Sequence, residues 1–175
     1  MNIRIANTSD QQAITQLIKT SVKYLASNDY TQEQIEIALQ TAWGLDTQLI
    51  NDQTYYVVEI NNKIVGVGGW SFRKTLFGNN NEEHRNPEKL NPECDNAKIR
   101  AFFVDPDYAR RGIGSLIMQH CEKSAIKAGF KKLELMSTLP GKPLYESHGF
   151  IATTAINYQL NDKLSIEFVP MSKTL

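Results

Sequence analysis

The sequence predicts a mixed α/β domain built on one sheet, and three observations predict it. Segments of strand and helix character follow one another in the order strand, two helices, three strands, helix, strand, helix, two strands. Two runs rich in Val, Ile and Tyr meet at Asn61-Asn62, which is hairpin chemistry. A strand ending in Phe102-Phe103-Val104 passes through a turn into a helix that opens on two glycines, Gly112 and Gly114. At 175 residues the chain suits a single domain over 1–175, interrupted by a polar loop insertion at about 71–96.

The elements follow from local chemistry. Ile3 and Ile5 share one side of a short first strand. Thr8 and Ser9, each with a glutamine three positions on, are capping-box candidates for a helix with apolar residues at Ile14, Leu17, Ile18, Val22 and Leu25. Thr31 with Gln34 repeats the signal before Ile35, Ala38, Leu39 and Ala42, and Gly44 is placed to close this second helix. Thr54 to Ile60 and Lys63 to Trp70 form the hairpin, its second strand thinned by Gly66, Gly68 and Gly69 so that something packs closely over it.

From Ser71 to Asn96 the chain turns polar, with Asn79-Asn80-Asn81, Pro87 and Pro92. Loops of this length inside a domain are often functional lids or mobile insertions. Ala97 to Val104 is a strand stopped by Asp105-Pro106-Asp107. Ile113, Leu116, Ile117, Cys121 and Ala125 stripe a helix ending at Gly129. A strand at Leu133 to Met136 follows, then a short helix from Pro140 to His148 with Thr138 as a cap, then strands Phe150 to Leu160 and Leu164 to Val169.

Composition excludes several classes. Basic and acidic residues balance at 19 each, so the surplus of positive charge that a general nucleic-acid binder needs is absent. The 41% hydrophobic content is too high for a disordered chain. No apolar run approaches the ~18 residues of a membrane span, and the first residues lack a signal-peptide core. Cys94 and Cys121 are two thiols expected to stay reduced, which points to a cytoplasmic location. His84 and Cys94 show no metal-ligand spacing, and no metal site is expected.

The stretch most informative about chemistry is Asp105-Pro106-Asp107-Tyr108-Ala109-Arg110-Arg111-Gly112-Ile113-Gly114-Ser115. Glycine admits an outside group to the backbone, and the first N–H groups of a helix have no partner of their own. With the positive end of the helix dipole they suit a pyrophosphate. A Walker loop would need a lysine after Gly114, and a Rossmann turn a third glycine where Ile117 stands. On the turn alone, glycines that serve only close packing remain the alternative.

Together with the downstream Leu144-Tyr145-Glu146-Ser147-His148-Gly149-Phe150, the Arg110-Arg111-Gly112-Ile113-Gly114 motif resembles the GNAT superfamily of acyl-CoA-dependent N-acyltransferases, and the resemblance covers nearly the whole chain. It implies that the backbone of Phe102, Phe103 and Val104 pairs with the pantetheine arm of acetyl-CoA like an added strand. It also implies that N–H groups of Arg111, Gly112, Ile113, Gly114 and Ser115 hold the pyrophosphate; with Ala109 where the family usually has Gln or Arg, either a modest loss or a compensating contact from Arg110 is expected. Two strands splay to admit the thioester. Tyr145 matches the tyrosine that protonates the departing thiolate, leaving coenzyme A as product. An amine attacks the thioester directly, with no covalent enzyme intermediate.

The chain departs from the pattern at Ala109, where the family usually has Gln or Arg, and at Thr138 and Gly141, where it often has Asn and Ala. Arg100, a charge on an apolar strand, reads equally as an outward-facing side chain and as a substrate-binding one that favours a carboxylate or phosphate. For the general base, Glu59, Glu134, Glu82, Glu83, His84 and Asp95 are formally available and none stands out. The expected reaction is acetyl transfer from acetyl-CoA to a primary amine, borne by a small molecule or a protein. The alternative is a non-catalytic acyl-CoA sensor or regulatory protein. Neither nucleic acid nor membrane is expected as a partner. A homodimer is compatible with the resemblance, although no coiled-coil seam demands one.

Overall fold

Local sequence chemistry accounts for most element boundaries in the computed structural model, which describes residues 1–82 and 85–175. Strand β1 (Asn2–Ile5) leads through a 3-10 turn (Thr8–Asp10) into helix α1 (Gln11–Leu25). The capping box lies one residue ahead of the expected Thr8. Asn7 Oδ1 accepts from the Ser9 N–H at 2.9 Å, and Asp10 Oδ2 accepts from the Asn7 N–H at 2.8 Å, a carboxylate doing what Gln11 or Gln12 was expected to do. Arg4 prefers that geometry, because it grips Asp10 at 2.7 and 2.9 Å and Glu59 at 2.6 Å. Helix α2 (Gln32–Ala38) has the Thr31–Gln34 box as expected but stops short of Ala42 and Gly44. Helix α3 (Thr47–Asn51), which the sequence did not disclose, is too short to show a period; Asp46 caps it by accepting the Gln48 N–H at 3.0 Å.

Strands β2 (Tyr55–Ile60) and β3 (Lys63–Ser71) form the hairpin, with Asn61 at φ 51° and Asn62 at φ 60° in the left-handed turn that asparagine tolerates. Then come β4 (Ala97–Val104), α4 (Ile113–Lys127), β5 (Lys132–Ser137) and α5 (Lys142–Ser147). Helix α5 begins at Gly141 without a side-chain cap, so Thr138 contributes only its carbonyl, to the Gly141 N–H at 3.1 Å. The expected strand Phe150 to Leu160 is two pieces, β6 (Ile151–Ala152) and β7 (Ile156–Gln159). The expected strand from Leu164 runs on as the longer β8 (Ser165–Thr174). The break falls opposite Pro170, whose carbonyl takes the Thr153 N–H at 2.9 Å but which has no N–H to return.

The sheet order is β1-β2-β3-β4-β5-β8-β6, with β7 also on β8. Every pairing is antiparallel except β4 with β5, which run parallel and pair only at Ala97–Leu133 and Lys98–Glu134 before separating. On one face α1 and α2 bury Ile14, Ile18 and Ile35 against Tyr55, Val57, Val67 and Phe168. On the other, α4 buries Ile113, Ile117 and Cys121 against Val58, Val65, Ile99 and Leu133.

What packs over the thin strand is α4 itself. A Cβ at Gly66 would lie 2.2 Å from Ile113 Cγ2, so the first residue of α4 rests directly on β3. The described parts of the 71–96 loop are tied down rather than free. Arg73 pairs with Asp52 through two contacts of 2.6 Å, and Thr75 exchanges hydrogen bonds with Asn86 at 2.9 to 3.0 Å. The buried Asn79 donates to Trp43 O at 3.2 Å.

Candidate active site

The site begins where β4 leaves β5. Between Val67 and Gly69 of β3, the partner strand advances from Phe103 to Arg100, one residue more than regular pairing allows. That bulge is at Ala101, whose φ of 55° is left-handed, and it is secured by the Tyr55 hydroxyl donating to Ala101 O at 3.2 Å. The bulge turns β4 so that Ala101 and Phe103 pack toward the α1 side while Phe102 and Val104 pack toward α4. No feature of the sequence signalled it, since alanine is not a usual left-handed residue.

The gap between the separated strands opens into a passage of about 230 Å³. Along β4 its walls change character. At the Val104 end stand Ser21 and Leu25 of α1, Gly114 of α4 and Leu144 of α5. At the Arg100 end stands Gly78 with Phe77 beside it, the Phe77 ring 5.2 Å from that of Phe168, and Trp43, Leu76 and Met136 also line the passage. Val104 offers its N–H toward this gap, where the Ser21 hydroxyl accepts it at 3.2 Å.

The glycine turn lies next to the Val104 end. Arg110 at φ 63° and Gly112 at φ 81° are both left-handed, and a Cβ on Gly112 would meet nothing within 4 Å. Gly114 differs: a Cβ there would come within 2.9 Å of Leu144 Cδ2, so this glycine lets α4 approach α5. The backbone is therefore open at Gly112, and Gly114 serves close packing. Among the described residues, the N–H groups from Arg110 to Ser115 have no hydrogen-bond acceptor. Arg110 and Arg111 are exposed, the latter with its guanidinium 5.2 Å from the Tyr108 ring.

Tyr145 of α5 lines the passage, with its ring edge-on to Phe102 at 6.0 Å and to Phe150 at 5.9 Å. Its hydroxyl has no hydrogen-bond partner among the described residues, and burial pushes its pKa well above the ordinary phenol value. The group therefore keeps its proton across the physiological range.

Arg100 also lines the passage; its two terminal nitrogens are engaged elsewhere, while its buried Nε has no hydrogen-bond partner among the described residues. Nη1 meets Asp46 Oδ2 at 2.7 Å and Nη2 donates to Gly78 O at 2.8 Å; burial lowers its pKa, with Asp46 opposing. Arg85 joins the same carboxylate at 2.7 Å. Asp46 is fully buried, and sequence reading passed over it because its partners lie about 40 to 50 residues away in the chain.

The base candidates scatter. Glu59 is held by Arg4, and Glu134 by Lys98 and by Asn96 at 2.8 Å. Asp95 accepts the Asn91 N–H at 2.7 Å, and Glu82 accepts the Tyr158 hydroxyl at 2.6 Å. None of these four lines the passage. Glu83 and His84 lie outside the described residues. Among the described residues no group of three or more His, Cys, Asp or Glu gathers as metal ligands, and no helix is long and apolar enough to cross a membrane.

The forked parallel pair, the bulged edge of β4 and the unsatisfied N–H groups at the start of α4 lie beside one passage. The acetyltransferase (GNAT) family model matches residues 14–150, and the chain belongs to that family. No curated protein matches it. Its fold is similar to that of a GCN5-related N-acetyltransferase from Rhodopseudomonas palustris, with TM-score 0.73 and 18% identity over 99% of this chain and 95% of that one. It is also similar to the PaiA N-acetyltransferase of Thermoplasma acidophilum in complex with coenzyme A, with TM-score 0.67 and 16% identity over 99% and 98%. The ribosomal-protein-S18-alanine N-acetyltransferase of Escherichia coli aligns with TM-score 0.59 and 20% identity over 99% and 92%.

Proposed function

We propose that this GNAT-family chain transfers an acetyl group from acetyl-CoA to a primary amine by direct attack, in the cytoplasm. The observation that carries the reading is the pairing of an unpaired β4 edge with unsatisfied N–H groups at the start of α4. This geometry fits a ligand that carries amide groups along its arm and a pyrophosphate beyond them. Acetyl-CoA supplies the activated thioester when bound.

The chain's own residues do the rest. N–H groups of Arg111, Gly112, Ile113, Gly114 and Ser115 bind the pyrophosphate, aided by the α4 dipole and by the exposed Arg110. The edge formed by Phe102, Phe103 and Val104 pairs with the arm, the Val104 N–H passing from Ser21 to the ligand. The amine nitrogen attacks the thioester carbon, the carbon–sulfur bond breaks, and the Tyr145 hydroxyl gives its proton to the sulfur. Tyr145 recovers a proton from solvent. The proton lost by the amine leaves through water, since no carboxylate lines the passage among the described residues. Arg100 acts as a positioning residue, holding Gly78 over the passage from its pair with Asp46.

The test is release of free thiol from acetyl-CoA with a panel of amines. Amine-dependent release supports the transferase. Acetyl-CoA binding with no amine accepted overturns it in favour of a sensor.

A further inference from the structure

The passage does more than admit a thioester: its far end is furnished for a particular kind of amine. We infer that the acceptor is an apolar, ring-bearing amine, an arylalkylamine in chemical class, rather than a polyamine or a peptide amino terminus. The inference rests on the transferase reading above and deepens it.

Three observations carry it. The lining includes three rings, Trp43, Phe77 and Phe168, together with Leu76 and Met136. Phe77, Leu76 and Met136 remain half-buried while the rings behind them are closed, with Phe77 centred 5.2 Å from Phe168 and 4.9 Å from Tyr158. An apolar wall left half-open in an otherwise packed core is shaped for an apolar guest.

The second observation is charge. Among the described lining residues the only ionised side chain is Arg100, and no carboxylate is there to receive an ammonium. Behind the wall the guanidiniums of Arg85 and Arg100 share the carboxylate of Asp46, and the buried Glu82 accepts the Tyr158 hydroxyl, so the charges nearby are already engaged. A polycation entering this end would lose its water with no carboxylate in the lining to receive it, which disfavours it.

The third is that the wall is preformed. Leu76 to Gly78 are held by the Arg100 contact with Gly78 O and by Thr75 locked to Asn86, with the buried Asn79 fastened to Trp43 O on the other side. A ring can enter this end without first ordering the loop, and little affinity is lost to that ordering.

The experiment compares 2-phenylethylamine, tryptamine, spermidine and a tripeptide with a free amino-terminal alanine, reading kcat/KM from thiol release. Calorimetric titration of 2-phenylethylamine into protein saturated with coenzyme A reads binding separately. The expected result is a preference for the aromatic amines of roughly 100-fold over spermidine, with measurable binding heat from 2-phenylethylamine. Phe77→Ala should raise the KM for 2-phenylethylamine roughly ten-fold while the KM for acetyl-CoA stays unchanged, with Phe77→Leu as the milder variant if alanine unfolds the wall. Spermidine or the tripeptide as the best acceptor would overturn the assignment and leave acetyl transfer standing. Turnover with none of the four amines, or an aromatic preference insensitive to Phe77, would overturn it as well; only the former would also tell against the transferase.

Discussion

The hydroxyl of Tyr55, fully buried on β2, donates to the carbonyl of Ala101 at 3.2 Å and so anchors the left-handed residue that bends β4 away from β5. A residue on the second strand thereby sets the geometry of the cleft two strands away. Tyr55→Phe keeps the ring and deletes the donor. It should cost about 1 kcal/mol of stability, read by denaturant unfolding, and should weaken acetyl-CoA binding because the β4 edge is less firmly held.

Tyr145→Phe should lower turnover by roughly ten-fold or more with acetyl-CoA affinity nearly unchanged, as expected for a proton donor used only as the bond breaks. The sign of the pH dependence follows from burial. A phenol whose pKa is raised stays protonated further into alkali, so kcat should show no loss from Tyr145 ionisation up to about pH 10. A pH–rate profile checks this. A falling limb near pH 9 that disappears in Tyr145→Phe would contradict it.

Ser21→Ala removes the hydroxyl that accepts the Val104 N–H. The unliganded protein should lose about 1 kcal/mol, since a part-buried donor loses its acceptor. The arm of the ligand restores an acceptor, so the thermal shift induced by coenzyme A should be larger in the variant than in the parent. A smaller shift would mean that Ser21 itself holds the ligand.

Gly112→Ala places a Cβ on a residue at φ 81°, in open space where the pyrophosphate is proposed to lie. The strain should cost roughly 1–2 kcal/mol of stability. Coenzyme A affinity should fall roughly ten-fold, while an analogue ending at pantetheine should bind the parent and the variant alike.

Asp46→Asn leaves Arg85 and Arg100 without their shared carboxylate. Breaking a buried ion pair from one side costs about 3–5 kcal/mol, so this should be the most damaging of the substitutions to the midpoint of unfolding.

Much of this was legible before the fold was known. The Thr31–Gln34 box, the Asn61-Asn62 hairpin and the glycine turn after Val104 act over a few neighbouring residues, and their chemistry is written in consecutive letters. The cap at Asn7 was misplaced because its choice depends on Arg4 bridging to Glu59 on another strand. The single late strand broke into β6 and β7 because of Pro170 on its partner. The Ala101 bulge and the Asp46 pair with Arg85 and Arg100 depend on contacts across the sheet and the loop, so no local pattern announces them. Arg100 was singled out by its charge on an apolar strand, and the geometry gives that charge a partner within the fold.

Isothermal titration of the protein with coenzyme A tests the account most directly, because every proposed step presumes that the β4 edge and the start of α4 receive one ligand together. The account predicts a single site per chain, with affinity lost in Gly112→Ala and a stabilisation of about 2.7 kcal/mol at one hundred times the dissociation constant. A titration without heat, and without any change in the midpoint of unfolding at millimolar coenzyme A, would contradict it.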